Sequence, residues 1–249
     1  MPTRATRAAE DNAPEQLSHR LAAYPWPDLE RALDLTGYAV LPALLRPLEC
    51  AQLIDLYAEP EHFRSRVVMD AHGYGQGEYQ YFARPLPAPV QTLREEVYPR
   101  LVELANRWAE RLRAEQRYPS TLDELSAACA AVGQTRPTPL LLKYAAGDYN
   151  RLHQDLYGDI AFPLQLALLL SEPHSAFTGG EFVLTEQRPR MQSRATVVPL
   201  SQGDAVIFAV NARPALGKRG DHRVTMRHGV SCVRSGSRFT LGVIFHDAR

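Results

Sequence analysis

From Pro139 onward the chain changes texture, and that change restricts its fold more than any other feature. Residues 140–144, 162–170, 181–185, 195–199, 205–210, 222–229 and 238–246 form short β-like runs separated by Gly, Pro, Asp or Ser. Seven or eight strands in about 110 residues, without intervening helices, imply a β-sandwich or barrel. The upstream half reads differently. Residues 16–24 and 28–35 suit short helices divided by Pro25 and Pro27, residues 37–41 a strand, and Pro47 the first turn of another helix. Leu93, Val97, Leu101, Leu104, Ala105, Trp108 and Leu112 recur at helical steps, which predicts a helix over 91–116 with a kink or break at Pro99. Thr121 and Glu124 have the spacing of a capping box for a helix through Val132. A helical layer before a compact β unit predicts an α+β fold, a jelly roll with N-terminal helices packed on its outer face. The expected division is a disordered tail over 1–14, a helical region with substrate-side strands over 15–137, and a β core over 138–249.

Formal net charge is zero, so bulk charge points to neither nucleic acid nor membrane. The distribution is uneven, because residues 186–249 hold 11 basic and 4 acidic side chains. Arg213, Lys218, Arg219, Arg223 and Arg227 concentrate there, and they could draw an anionic cosubstrate or contact phosphates. Cys50, Cys129 and Cys232 form neither a zinc pattern nor a disulfide framework, which suits a reducing, cytoplasmic setting. Met1 to Leu17 has no apolar signal region, and no run approaches the ~18 apolar residues of a membrane span.

The chemistry-bearing residues cluster in the β half. His153 and Asp155 are two apart, so in an extended segment both side chains point the same way. Two imidazoles and one carboxylate on one face of a metal are the ligand set of non-haem iron(II) oxygenases. The second imidazole could come from His174, His222, His228 or His246, and strand parity does not separate His222 from His228. An arginine does. Arg238 stands ten residues after His228 on the next predicted strand, with Thr240 on the same face, whereas Cys232 stands ten after His222. An arginine fork with a neighbouring hydroxyl is suited to a carboxylate.

The stretch Leu142-Lys-Tyr-Ala-Ala-Gly-Asp-Tyr-Asn-Arg-Leu-His-Gln-Asp155, with the later Gly179-Gly-Glu-Phe182, Gly203-Asp-Ala-Val-Ile-Phe208 and His228…Arg238-Phe-Thr240, resembles the prolyl-4-hydroxylase-like Fe(II)/2-oxoglutarate dioxygenases. The likeness covers about 138–247 and implies a double-stranded β-helix. It implies Fe(II) at His153, Asp155 and His228, 2-oxoglutarate at Arg238 with Thr240 and Tyr144 as helpers, and O2 as co-reactant. Hydroxylation of a substrate would then yield succinate and CO2. The chain as a whole also resembles a bacterial group of these oxygenases described as acting on damaged nucleic acid.

The substrate is less constrained. Prolyl-hydroxylase-like motifs favour a protein or amino-acid side chain, with a modified nucleic-acid base, oxidatively demethylated, as the alternative. A metal-dependent cupin-like isomerase or lyase would not need the Arg238–Thr240 pair; a non-catalytic metal-binding or sensing module is the third alternative. Gly73-Tyr-Gly-Gln-Gly-Glu-Tyr-Gln-Tyr-Phe82 reads as a flexible loop and an alternating strand at the site mouth, and Arg64, Arg66, Tyr79 and Tyr81 are the substrate-side candidates. Tyr149 is a further pocket candidate. His246 shares the parity of Arg238 but lies near the chain end, where a surface or capping role is expected.

Overall fold

The computed structural model describes residues 13–217 and 220–249. Helices α1 (Ala13–Ala23) and α2 (Trp26–Thr36) lead into β1 (Tyr38–Leu41) and α3 (Pro47–Asp55). Strands β2 (Phe63–Val68), β3 (Gly75–Gln76) and β4 (Glu78–Phe82) precede α4 (Ala88–Arg111) and α5 (Leu122–Ala131). The β core follows as β5 (Leu140–Ala145), β6 (Tyr149–His153), β7 (Leu164–Leu169), β8 (Phe177–Gly179) and β9 (Phe182–Gln187). It ends with β10 (Arg194–Val198), β11 (Ala205–Ala209), β12 (Ala212–Gly217), β13 (Gly220–Val230) and β14 (Val233–Val243).

Two antiparallel sheets face one another. The larger runs β1-β11-β7-β14-β5-β4-β2 with β8 beside β14, and the smaller runs β10-β9-β13-β6-β3 with β12 beside β13. This is the expected α+β jelly roll with helices outside. Side-chain alternation explains its layering. On the large sheet Leu141, Leu166, Ile207, Leu241 and Phe82 join the helices in the main core. Their neighbours Leu142, Gln165, Ala167, Phe208, Arg238, Thr240, Tyr79 and Tyr81 face inward and line a cavity between the sheets. The N-terminal region is not a separate layer, since β1 pairs with β11 and β4 with β5.

Helix α4 contributes more to the main core than any other helix, through Val90, Leu93, Val97, Leu101, Leu104, Ala105 and Trp108, all buried. It runs unbroken through Pro99, because packing around Val97, Tyr98 and Leu101 outweighs one lost backbone bond. It stops earlier than the apolar stripe suggests. Leu112 caps it and Arg113 turns into the left-handed region at φ 53°. Thr121 and Glu124 do form the capping box of α5. Gly37, at φ 83°, ends α2 where a β-carbon would sit 2.9 Å from Arg213 Cδ. Of the predicted tail, Ala13 and Pro14 open α1; residues 1–12 lie outside the described residues, as do Lys218 and Arg219.

Candidate active site

His153 is the last residue of β6 and lies directly across from His228 on β13. Opposed residues of an antiparallel pair put their side chains on one face, and here the two ring centroids are 4.1 Å apart. Asp155, two residues beyond the strand end, closes the group. Its Oδ1 is 3.4 Å from His153 Nε2 and its Oδ2 is 3.3 Å from His228 Nε2. One ligand atom from each residue lies within 4.8 Å of the others. Two donors bonded at right angles to one metal at ~2.1 Å are about 3 Å apart, so the three residues fit one ion on a single face.

The group is held from behind. Asp155 is buried, and both its oxygens accept hydrogen bonds, from Tyr157 Oη–H at 2.7 Å and from Gln165 Nε2–H at 2.8 Å. His153 Nδ1 donates to the Arg151 carbonyl at 2.7 Å, which leaves Nε2 unprotonated and facing Asp155 in the neutral ring. Burial opposes the carboxylate's charge, but His228 and His153 outweigh it and hold the Asp155 carboxyl well below the usual range. Burial and the neighbouring His153 push the His228 imidazole down. For His153 burial also disfavours charge, yet its contact with Asp155 raises it overall. A carboxylate and two converging imidazoles form a site that a cation completes.

Deeper in the same cavity, of about 390 Å³, lies Arg238. It is 2 % exposed, stands across from Tyr144 on β5, and donates from Nη1 to Thr240 Oγ1. Its guanidinium carbon is 5.5 Å from the Tyr144 ring centroid. Among the described residues no carboxylate pairs with it, and burial lowers its pKa to about 10. A buried cation with one hydroxyl partner is expensive unless an anion joins it. The cavity therefore offers a cation-hungry end and an anion-hungry end.

A family described as an oxygenase catalysing oxidative methylation of damaged DNA, Oxygenase-NA, matches residues 77–248. The chain belongs to the Oxygenase-NA family. Two uncharacterised proteins of Mycobacterium tuberculosis strains are each 47% identical over 167 residues, 67% of this chain and 72% of theirs. Among solved structures, a Burkholderia pseudomallei oxidoreductase of the 2OG-Fe(II) oxygenase family has TM-score 0.53 at 16% identity over 91% of this chain and 94% of its own. A Phytophthora capsici prolyl 4-hydroxylase has TM-score 0.52 at 16% identity over 93% and 64%. SnoN, a non-haem α-ketoglutarate-dependent epimerase of nogalamycin biosynthesis, has TM-score 0.51 at 15% identity over 87% and 80%. These likenesses carry the fold, and one fold serves a hydroxylase and an epimerase alike. At the level of family the expectation of an oxygenase is borne out, and the fold is the one shared with the iron(II)/2-oxoglutarate oxygenases.

In this Oxygenase-NA member Tyr79 and Tyr81 line the cavity with Tyr144, whereas Arg64 and Arg66 part company. Arg64 stacks over the Tyr81 ring at 4.4 Å and donates to the Pro137 carbonyl. Arg66 is paired across strands with Gln80, on the helix side of the sheet, and is bound to Glu78. Parity separates it from the cavity. Tyr149 pairs with Gln76 and packs under Arg151. In the basic C-terminal quarter, Arg213 is buried against Glu186 and is closed to phosphates, while Arg223 and Arg227 are exposed on β13. His222 pairs with Ala215 on the β12–β13 hairpin, away from the His153–Asp155–His228 group. His246 is buried rather than on the surface, and its Nδ1 accepts the Phe162 N–H. Tyr157, Gln165 and Asn150 belong to the site but escaped the sequence reading. Gln165 had a signal, as the one polar side chain in the apolar run 162–170.

Proposed function

We propose that this chain is an iron(II)- and 2-oxoglutarate-dependent oxygenase that would hold the metal with His153, Asp155 and His228 and the cosubstrate's distal carboxylate with Arg238 and Thr240. The observation that carries the reading is the buried Arg238 guanidinium, without a carboxylate partner among the described residues, in the same cavity as the two imidazoles and one carboxylate. A metal-only isomerase has no use for that cation. Bound iron and 2-oxoglutarate supply oxygen activation, with succinate and CO2 as coproducts. The chain's own residues do the rest. Tyr157 and Gln165 occupy one lone-pair direction on each Asp155 oxygen and so fix the carboxylate's tilt. Arg151 fixes the His153 tautomer through its carbonyl. Leu142, Phe182, Phe208 and Val230 exclude water from the centre.

For the substrate, a modified nucleobase is favoured over the side chain of a protein. Prolyl hydroxylases share only the fold at this identity, whereas the family description names damaged DNA. Tyr74, Tyr79, Tyr81 and Tyr157 give the cavity aromatic walls suited to a planar group turned out of a strand. An anaerobic titration tests the first part. Fe(II) and 2-oxoglutarate added together should give a visible charge-transfer band that His153→Ala abolishes. A band retained at full strength in His153→Ala rejects the ligand assignment. O2-dependent succinate formation, stimulated by a methylated single-stranded oligonucleotide and not by a proline-containing peptide, tests the second; the reverse preference rejects it.

A further inference from the structure

Arg238 borders two cavities. Besides the active-site cavity, it lines a second one of about 220 Å³ formed by Leu169, Phe177, Thr178, Gly180, Val197 and Leu200. The two edges of the guanidinium face different ways. Nη1 meets Thr240, which lines the active-site cavity. Nε lies toward Gly180, whose added β-carbon would stand 2.9 Å from Arg238 Cδ and 3.5 Å from Nε. Gly180 lines the second cavity only, and Phe177 on that side has its ring centroid 5.9 Å from the guanidinium carbon.

The Nε–H is buried and has no hydrogen-bond partner among the described residues. Arg94 and Arg213 also bury an Nε without a partner, but neither borders either cavity. A buried N–H donor left unmet is costly, so a donor beside a cavity is a place for an acceptor. Glu181, in the wall of the second cavity, does not fill that role. Its carboxylate is taken by the Ser231 hydroxyl and by Arg234 at 3.1 Å. Gly179 and Gly180, at φ 71° and 63°, carry the wall past the arginine without side chains.

We propose that the second cavity is a binding site for a small carboxylate, which accepts from Arg238 Nε–H behind the active site. One positive charge then serves two anions. Occupation of the rear site weakens the hold of the same guanidinium on a carboxylate in front, and by linkage the reverse is also true. The rear site thus makes cosubstrate affinity responsive to small carboxylates that never touch the metal group. This coupling rests on the cosubstrate reading above; binding at Nε does not.

Acetate is the probe, and the readout is the Arg238 Nε–H resonance of ¹⁵N-labelled, metal-free full-length protein, assigned by its loss in Arg238→Lys. Acetate at constant ionic strength is expected to shift this resonance saturably. Val197→Trp and Thr178→Trp fill the rear cavity from two walls, and Val197 is 56% exposed, so the fold tolerates the change. Each variant should remove most of the shift. In Fe(II)-loaded protein, saturating acetate should raise the Kd for 2-oxoglutarate about fivefold, and the two variants should lose that increase. Absence of a saturable shift, or a shift that survives both variants, overturns the rear site. If 2-oxoglutarate fails to bind while the acetate shift appears and vanishes as stated, the cosubstrate reading falls and the rear site stands.

Discussion

Arg213 and Arg238 are almost equally buried, at 1% and 2% exposure, and they are partnered in opposite ways. Arg213 donates to Glu186 at 2.9 Å and to the Asp34 carbonyl at 3.1 Å, tying β12 to β9 and to the end of α2. Arg238 donates to one hydroxyl and borders two cavities. The first arginine is an internal ion pair that closes on itself. The second is left open within a finished fold. Buried charge alone therefore identifies nothing here; the missing carboxylate does.

The sharpest test of that contrast is stability. Arg213→Met leaves Glu186 buried with only Arg188 and Arg194, whose contacts are longer at 3.2 and 3.3 Å. Removing one member of a buried pair costs about 3–5 kcal/mol, and urea denaturation should show a loss near the lower figure with an unchanged slope. A loss below about 1 kcal/mol would mean that the pair behaves as a surface bridge.

A buried neutral histidine gives the next largest effect. Burial pushes the His246 imidazole down to about 4. Above pH ~6.5 it is neutral both folded and unfolded and has no pH-dependent effect. Between ~6.5 and 4 the unfolded chain binds a proton that the folded one refuses, so stability falls with pH by a total of about 3 kcal/mol. His246→Asn, which keeps an acceptor for the Phe162 N–H, should flatten that part of the acid limb. An unchanged slope would assign the acid sensitivity to other groups.

Arg238→Met inverts the Arg213 result. Without a carboxylate to strand, the unliganded protein should be as stable as the original or more stable, by about 1–3 kcal/mol. Cosubstrate affinity should fall about 100-fold, or about 2.7 kcal/mol, measured as the 2-oxoglutarate dependence of the charge-transfer band. A stability loss like that of Arg213→Met would place Arg238 among the structural pairs. Tyr157→Phe and Gln165→Leu act one step back from the metal. Each should weaken iron binding by about 10- to 100-fold, read by competition with a chelator, with no change in melting beyond a few degrees.

The contrast between closed and open groups was only partly legible in the sequence. The candidates His153, Asp155, His228, Arg238 and Thr240 are legible because the His-x-Asp step and the ten-residue step from His228 to Arg238 are local spacings that the sequence records directly. The direct pairing of His153 with His228 was not, since β6 reads Tyr-Asn-Arg-Leu-His and lacks the apolar content of a strand. In β7 every residue is buried, so Leu-Gln-Leu-Ala-Leu-Leu hides which side chains face the helices and which the cavity. The Arg213–Glu186 pair spans 27 residues and depends on the pairing of β12, β13 and β9, which spacing does not encode. Spacing alone places Arg213 in a basic loop open to phosphates for that reason.

The smallest effects test the same distinction within one hairpin. Arg64 and Arg66 are two apart on β2 and were grouped as substrate contacts, yet a register shift lies between Phe63 and Ser65. Past that irregularity Arg66 stands opposite Gln80, on the helix side, and its exposed guanidinium is met by Glu78. Arg64 rests instead on the ring of Tyr81, whose other contacts are with Tyr79 and Tyr157 at the cavity wall. Arg66→Ala should therefore change stability by no more than about 1 kcal/mol and leave turnover unaltered. Arg64→Ala frees the Tyr81 ring and removes a cation–π contact worth about 0.5–2 kcal/mol. It should raise KM for the oligonucleotide severalfold while the 2-oxoglutarate requirement stays constant. Equal KM changes in the two variants would mean that both arginines act through long-range charge and that the face each occupies is irrelevant.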